Sequence, residues 1–196
     1  MIQDSVMFMP DSPHRTVYYL PGYGGQLATG LGAGLLQRGF HVTGRETLGE
    51  FRDLGFQVQV DTVAQDLQAQ FWREDALVIC NSFGAYLFLH AQAQMKPFIG
   101  NVLLLSPIVG DFTDETSQTT FSPPRPTRLK ELVVAGRFPT PPRCEIHVGE
   151  LDWQSLPAQV VAFGAAAGIS TTVVPGAGHR LGSDYVGALL DRWRLP

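Results

Sequence analysis

A serine, an aspartate and a histidine that could cooperate in nucleophilic catalysis are widely spaced in this sequence: Ser82, Asp152 and His179. A serine hydroxyl is a weak nucleophile at neutral pH, so a nearby base must take its proton. An imidazole, with an ordinary pKa of about 6.5, can be that base, and a carboxylate can hold its second ring nitrogen. These residue types predict Ser82 as nucleophile, His179 as acid and base, and Asp152 as the group that orients the imidazole.

Each of the three residues also has an ordinary structural role that the sequence leaves open. Ser82 could cap a helix, Asp152 could cap the helix that begins near Ser155, and His179 could be a loop histidine. Asp111, which follows a different predicted strand, is an alternative candidate for the acid. The chemistry therefore depends on whether the fold brings these side chains together.

The stretch around Ser82 predicts a strand, a sharp turn and a helix. Residues 76–80 are apolar and include β-branched side chains, which favours a strand buried on both faces of a parallel sheet. A mostly apolar helix is predicted from Ala85 to near Lys96, and Gly84 leaves room for a close backbone approach. This order would place the Ser82 hydroxyl above one edge of a sheet, at the N-terminus of a helix.

Predicted strands and helices alternate along the rest of the chain. The predicted strands are 16–20, 40–43, 76–80, 101–106, 144–148 and 170–174. The other predicted helices are 26–38, 62–72, 128–135, 157–167 and 183 to about 193. Residues 44–60 are ambiguous, with a helical turn at 50–54 and strand-like alternation at 56–60. The alternation predicts an α/β fold with a mostly parallel sheet of about six strands and helices on both faces.

Residues 110–143 differ in composition from the rest of the chain. They contain six prolines and a polar run at 114–120, with one short predicted helix at 128–135. We interpret them as a short lid-like insertion within a single domain of residues 1–196, because too little sequence follows for a second domain. A surface for a partner, using Phe121 and Phe138, is the alternative role.

The segment Cys80-Asn81-Ser82-Phe83-Gly84 resembles the nucleophile elbow G-x-S-x-G of the α/β-hydrolase family, with Cys80 in place of the first glycine. The order serine, acid, histidine is also the one that this family uses. The resemblance implies an α/β-hydrolase-type sheet with a Ser82, His179 and Asp152 triad. It also implies a serine hydrolase without a cofactor that cleaves a carboxylic ester or thioester through an acyl-serine intermediate.

The glycine-rich turn Pro21-Gly22-Tyr23-Gly24-Gly25 follows the first predicted strand, where the family commonly has His-Gly in place of Pro21-Gly22. By analogy with the family, the backbone N–H groups of Tyr23 and Phe83 are the candidates for an oxyanion hole. The side chains of the same two residues would form apolar walls for the substrate. A small lid would favour short or accessible acyl groups.

The sequence also allows two other functions. A peptidase or amidase would use the same three residues, and specificity would depend on pocket walls that the sequence does not describe. A non-catalytic binding protein with the same fold is the alternative from a different class, because fold does not determine function. The replacements at Pro21 and Cys80 favour that alternative, whereas the complete set of Ser82, Asp152 and His179 favours catalysis.

Composition limits the classes of partner. The net charge of −4 and the absence of a basic run argue against nucleic acid as a principal partner. No run approaches the roughly 18 apolar residues of a membrane span, and no basic and apolar leader is recognisable, so a soluble cytoplasmic protein is expected. Two cysteines do not make a disulfide framework, and no spacing suggests a metal site. The expected partner is a small-molecule acyl substrate.

Overall fold

A parallel sheet forms the centre of the computed structural model, which describes residues 15–114 and 116–194. The strands of the described residues are β1 (Thr16–Leu20), β2 (His41–Gly44), β3 (Leu77–Asn81), β4 (Asn101–Leu105), β5 (Phe112–Asp114), β6 (Thr119–Phe121), β7 (Arg143–Gly149) and β8 (Ser170–Val174). Six of them pair in the order β2-β1-β3-β4-β7-β8, all parallel, and β5 and β6 form a separate antiparallel hairpin. The predicted six-stranded parallel sheet is confirmed.

Because all strands of the main sheet point the same way, their carboxyl ends lie at one edge. In the registers of β3, Leu77 pairs with Val17 on one side and with Asn101 on the other. The strand that precedes Ser82 is therefore central, and the segments after β1, β3, β4, β7 and β8 start from the same edge. Ligands of open α/β sheets bind at this edge.

Helices cover both faces of the sheet. In the described residues they are α1 (Leu31–Gln37), α2 (Gly49–Asp53), α3 (Phe56–Gln70), α4 (Phe83–Gln92), α5 (Arg128–Val134), α6 (Pro157–Ala167) and α7 (Ser183–Arg194). Side chains of α1 and α7 pack on one face, and those of α3, α4, α5 and α6 on the other. Successive strand residues alternate between the two cores, as the pleat requires, so Val17 and Tyr19 face one while Tyr18 and Leu20 face the other.

Two local expectations are wrong. Residues 56–60, which alternate like a strand, are the first turns of α3, where the Gln59 side chain is buried and Val58 is exposed. The Gln59 amide donates to the backbone oxygens of Phe51, Arg52 and Leu54. The side chain is buried because it provides hydrogen bonds to these oxygens at the end of α2. Residues 26–30 are not helical, and α1 begins only at Leu31.

The insertion packs mainly against the face that carries α3, α4 and α6. Leu129, Leu132 and Val133 of α5 are buried in that core. The Tyr86 hydroxyl of α4 donates a hydrogen bond of 2.6 Å to the backbone oxygen of Pro124. A lid role for the insertion stays a prediction.

Within residues 15–114 and 116–194, no helix is both long enough and apolar enough to cross a membrane.

Candidate active site

Ser82 lies at a sharp turn between β3 and α4. Its φ of 52° is in the left-handed region, which costs a non-glycine residue on the order of 1–3 kcal/mol. The Ser82 N–H donates to the backbone oxygen of Leu105 on β4, and this bond holds the turn against the sheet. The hydroxyl makes no capping hydrogen bond to α4, so the helix-cap alternative does not describe it.

The residues around Ser82 are small because neighbouring backbone passes close to the turn. A Cβ atom on Gly84 would lie 2.2 Å from the backbone oxygen of Leu20 and 2.5 Å from that of Pro21. Cys80, in place of the first glycine of the motif, is fully buried in the core. Burial raises the pKa of the Cys80 thiol well above its usual range, so it behaves as a small apolar side chain.

Asp152 lies in the turn that follows β7, and its side chain is completely buried. Its Oδ1 atom accepts hydrogen bonds from the backbone N–H groups of Gln154, at 3.0 Å, and Ser155, at 2.8 Å. The same carboxylate lies 2.9 and 3.0 Å from Nδ1 of His179. The two backbone bonds close a turn that precedes α6, whose N-cap is Leu156 without a side-chain cap, so Asp152 does not cap that helix. Its carboxylate does make the predicted contact with His179.

His179 connects the acid to the serine. Its Nε2 atom lies 2.9 Å from the Ser82 Oγ, across 97 residues of sequence. Because a carboxylate only accepts, Nδ1 must carry a hydrogen, and the neutral ring then presents Nε2 as an acceptor for the Ser82 hydroxyl. The three side chains therefore form one hydrogen-bonded chain along which the serine proton can pass to the imidazole.

The other candidate residues lie elsewhere. Asp111 is exposed and makes no hydrogen bond to His179; its backbone oxygen accepts one from Gln159. His90 is packed between the rings of Phe56 and Tyr86, and burial lowers its pKa to about 4. These contacts agree with a packing role for His90.

A cavity of about 700 Å³ opens beside Ser82 and His179. The glycine-rich segment of residues 21–25 forms one wall, and Tyr23 at its tip is 69% exposed. The Tyr23 ring contacts the ring of Phe83 edge-on, at 5.7 Å between centroids. Tyr23 lines the cavity, whereas Phe83 and the described residues of the 110–143 insertion do not.

The backbone N–H groups of Tyr23 and Phe83 are available to donate to a ligand, as an oxyanion hole requires. Neither donates a hydrogen bond to another group within residues 15–114 and 116–194. Phe83 is the first residue of α4, so its N–H also lies at the positive end of the helix dipole. Gly22 brings the first loop against the serine, since a Cβ there would be 3.6 Å from the Ser82 Oγ.

Thr47 holds the glycine-rich turn in place, and no sequence pattern indicates it. It is buried, its hydroxyl donates to the backbone oxygen of Gly22, and it accepts from the Gly25 N–H at 3.0 Å. Its backbone forms two further bonds, to Gly24 and Gly25. The glycine-rich turn is thus fixed by a residue from the ambiguous 44–60 region, and no motif marks it.

Replacing Thr47 by valine is expected to lower kcat for ester hydrolysis by roughly tenfold, because the loop that carries the Tyr23 N–H loses its side-chain anchor. The free energy of unfolding should fall by about 1–3 kcal/mol, since valine leaves the Gly25 N–H without its buried acceptor. Steady-state kinetics and urea denaturation measure both effects. Thr62→Val is the matched control, because the Thr62 hydroxyl bonds within α3, away from the cavity. An unchanged kcat in Thr47→Val would contradict this role.

Ser106 is a second residue beside Ser82 that no sequence pattern indicates. It follows β4 with a φ of 45°, lines the cavity and is 2% exposed. Its Oγ has no hydrogen-bond partner in the described part of the chain.

The described residues also contain no group of three or more His, Cys, Asp or Glu side chains that could hold a metal ion.

Comparison with known proteins rests on structure alone, since no protein-family model and no curated protein matches the sequence. The chain is similar to a protein from Xanthomonas campestris pv. campestris assigned to the hydrolases of the alpha/beta superfamily, with 17% identity and a TM-score of 0.60 over 91% of this chain and 94% of that chain. It is also similar to mouse alpha/beta hydrolase domain-containing protein 10, with 12% identity and a TM-score of 0.64 over 91% and 86%.

A third similar structure comes from a study of carboxylesterases of the ammonia-oxidizing thaumarchaeon Nitrososphaera gargenis. Identity is 13% and the TM-score is 0.58, over 93% of this chain and 90% of that chain. At such identities the likeness concerns the backbone arrangement alone. This chain has the α/β-hydrolase fold.

Proposed function

We propose that this protein is a serine hydrolase that cleaves a carboxylic ester or thioester. The observation that carries the proposal is the hydrogen-bonded chain of Ser82, His179 and Asp152 beside the 700 Å³ cavity. A buried carboxylate, an imidazole of defined tautomer and a hydroxyl at a strained turn are the parts that acyl transfer requires.

In the first half-reaction the Ser82 Oγ attacks the carbonyl carbon of the substrate while His179 Nε2 takes the hydroxyl proton. The carbonyl oxygen gains negative charge, and the N–H groups of Tyr23 and Phe83 are the proposed donors to it. As the tetrahedral intermediate collapses, the bond to the leaving group breaks and His179 returns the proton to the departing oxygen or sulfur. The product is an acyl-serine on Ser82.

In the second half-reaction water takes the place of the leaving group. His179 removes a proton from the water, whose oxygen attacks the acyl carbon, and then returns a proton to the Ser82 Oγ as the acid leaves. Asp152 stabilises the imidazolium that forms in both steps. No cofactor enters this scheme.

The leaving group decides between the proposed function and its closest alternative. A peptidase or amidase would use the same residues, with His179 protonating an amine. The carboxylesterase among the similar structures favours an ester over an amide. The partner is then a small acyl substrate that reaches Ser82 through the cavity.

Labelling with a fluorophosphonate probe tests the proposal directly. A phosphonyl adduct on the peptide that contains Ser82 is expected, together with a burst of nitrophenol from p-nitrophenyl acetate equal to the amount of active protein. Digestion and mass spectrometry locate the adduct. Folded protein that neither reacts with the probe nor hydrolyses short esters would instead support a non-catalytic binding role.

A further inference from the structure

The cavity beside Ser82 continues between α1 and α7, below the rim of the sheet. Leu31 of α1 and Val186 and Leu190 of α7 give this part apolar walls, and Tyr19 and Leu105 give it a floor on the sheet. Both helices begin near the catalytic edge and run back along the strands. A substrate group that points away from Ser82 therefore enters a channel between two helices.

The guanidinium group of Arg38 lies in this channel, between α1 and α7. Its guanidinium extends back along α1, with Nη1 3.4 Å from the backbone oxygen of Gly34. Its Nη2 lies over Gly187 of α7, where a Cβ atom would be only 2.4 Å from that nitrogen. Because Gly187 has no side chain, the charged group fits between the two helices.

The positive charge of Arg38 is only partly compensated by neighbouring negative groups. Asp191 forms an ion pair with Arg38 in which its Oδ1 lies 3.5 Å from Nε, and the Asp191 side chain is 62% exposed. Nη2 has no hydrogen-bond partner within the part of the chain that the structure describes. The described residues that line the cavity include two arginines, Arg38 and Arg180, and no aspartate or glutamate.

We propose that this channel binds a carboxylate at the far end of the acyl group, so that the substrate is a monoester or monothioester of a short dicarboxylic acid. The proposal rests on the proposed hydrolase function. The Arg38 guanidinium offers Nη2, and in part Nη1, to the carboxylate in the geometry that favours charge-assisted hydrogen bonds. The apolar walls then accommodate the methylene groups between the carboxylate and the ester.

The positions of Gly34 and Gly187, which contact the Arg38 guanidinium, define how deep in the channel its charge lies. Gly187 lies four residues after Ser183, the start of α7, which corresponds to roughly 6 Å along the helix axis. The charge therefore lies about one helical turn below the rim. That depth suits a short chain, and a longer diacid would have to fold or displace the arginine.

The test compares esters of the same length with and without the distal charge. Wild-type protein should hydrolyse monoethyl glutarate with a kcat/KM at least about tenfold above that for ethyl pentanoate, as a partly buried charge pair allows. Ethanol release follows both reactions without a chromophore. Across the series malonate, succinate, glutarate and adipate, the preference should peak at one length.

Two variants separate the charge from the rest of the channel. Arg38→Gln should remove most of the preference, and Arg38→Lys should keep part of it. Gly187→Ala retains the arginine but puts a methyl group where Nη2 lies, so it should lower the preference as well. Arg52→Gln, on the exposed α2, is the matched control because it removes the same charge outside the cavity and should leave the ratio unchanged.

A binding measurement makes the outcome independent of turnover. Calorimetric titration of Ser82→Ala with monoethyl glutarate should show binding that weakens at least about tenfold when Arg38→Gln is added. Equal preference ratios in wild type and Arg38→Gln, or a collapse in Arg180→Gln alone, would overturn the assignment. Binding through Arg38 without hydrolysis of any ester would keep the anion site and refute the hydrolase function.

Discussion

Replacing Ser82 by alanine is expected to lower kcat for ester hydrolysis by roughly 10⁴- to 10⁶-fold and to abolish fluorophosphonate labelling. The change removes the atom that forms the acyl intermediate, while His179 and Asp152 keep their hydrogen bond. A small residual rate should survive, because the oxyanion donors and the cavity still bind the substrate. Steady-state kinetics with p-nitrophenyl acetate and intact-mass analysis after labelling measure the two effects.

Ser106→Ala is the matched control for this experiment. Ser106 is the other buried serine in the cavity and also has a positive φ, so it is the one that a reactive probe could reach by mistake. Labelling should persist in Ser106→Ala and be absent in Ser82→Ala. Undiminished labelling of Ser82→Ala would show that a different residue is the nucleophile.

Asp152→Asn should lower kcat by roughly 10⁴-fold with little change in the fold. The Oδ1 atom is held by the N–H groups of Gln154 and Ser155, so an asparagine would keep its oxygen there. Its amide nitrogen would then occupy the place of Oδ2, 3.0 Å from Nδ1 of His179, and donate to it. An amide N–H at that distance repels a hydrogen on Nδ1 and favours the tautomer with hydrogen on Nε2, which cannot accept the Ser82 proton.

The matched control is Asp111→Asn, which changes the same functional group in the alternative acid. Asp111 makes no side-chain contact with His179, and its variant should retain the wild-type rate. Near-UV circular dichroism of Asp152→Asn establishes that the fold is kept. A large loss of activity in Asp111→Asn, with Asp152→Asn unaffected, would reverse the assignment of the acid.

The sheet could be predicted from the sequence because its strands are short, apolar runs separated by helical patterns. Residues 16–20 and 170–174 were expected as strands and are β1 and β8 with the same bounds. Ser82, Asp152 and His179 follow β3, β7 and β8, and parallel strands end at one edge of a sheet, which is why the three side chains can meet. Local pattern and global fold agree in these segments.

Features that depend on contacts between distant segments could not be predicted in this way. Residues 56–60 alternate like a strand, yet burial of Gln59 against the end of α2 selects the helix. Thr47 has no motif, because its role arises only when its loop meets the glycine-rich turn. The channel at Arg38 depends on the absence of a side chain at Gly187, 149 residues further along the chain.

The position of β8 at the edge of the sheet has a consequence for inactivation. Within the described part of the chain β8 pairs with β7 alone, and three of its five residues are exposed, so it is held less firmly than the central strands. If β8 detached, His179 would leave the site, while β3 would keep both neighbours and Ser82 its turn. Mild heat or denaturant would then abolish ester hydrolysis before the core unfolds. On cooling, β8 would pair with β7 again and the activity would recover.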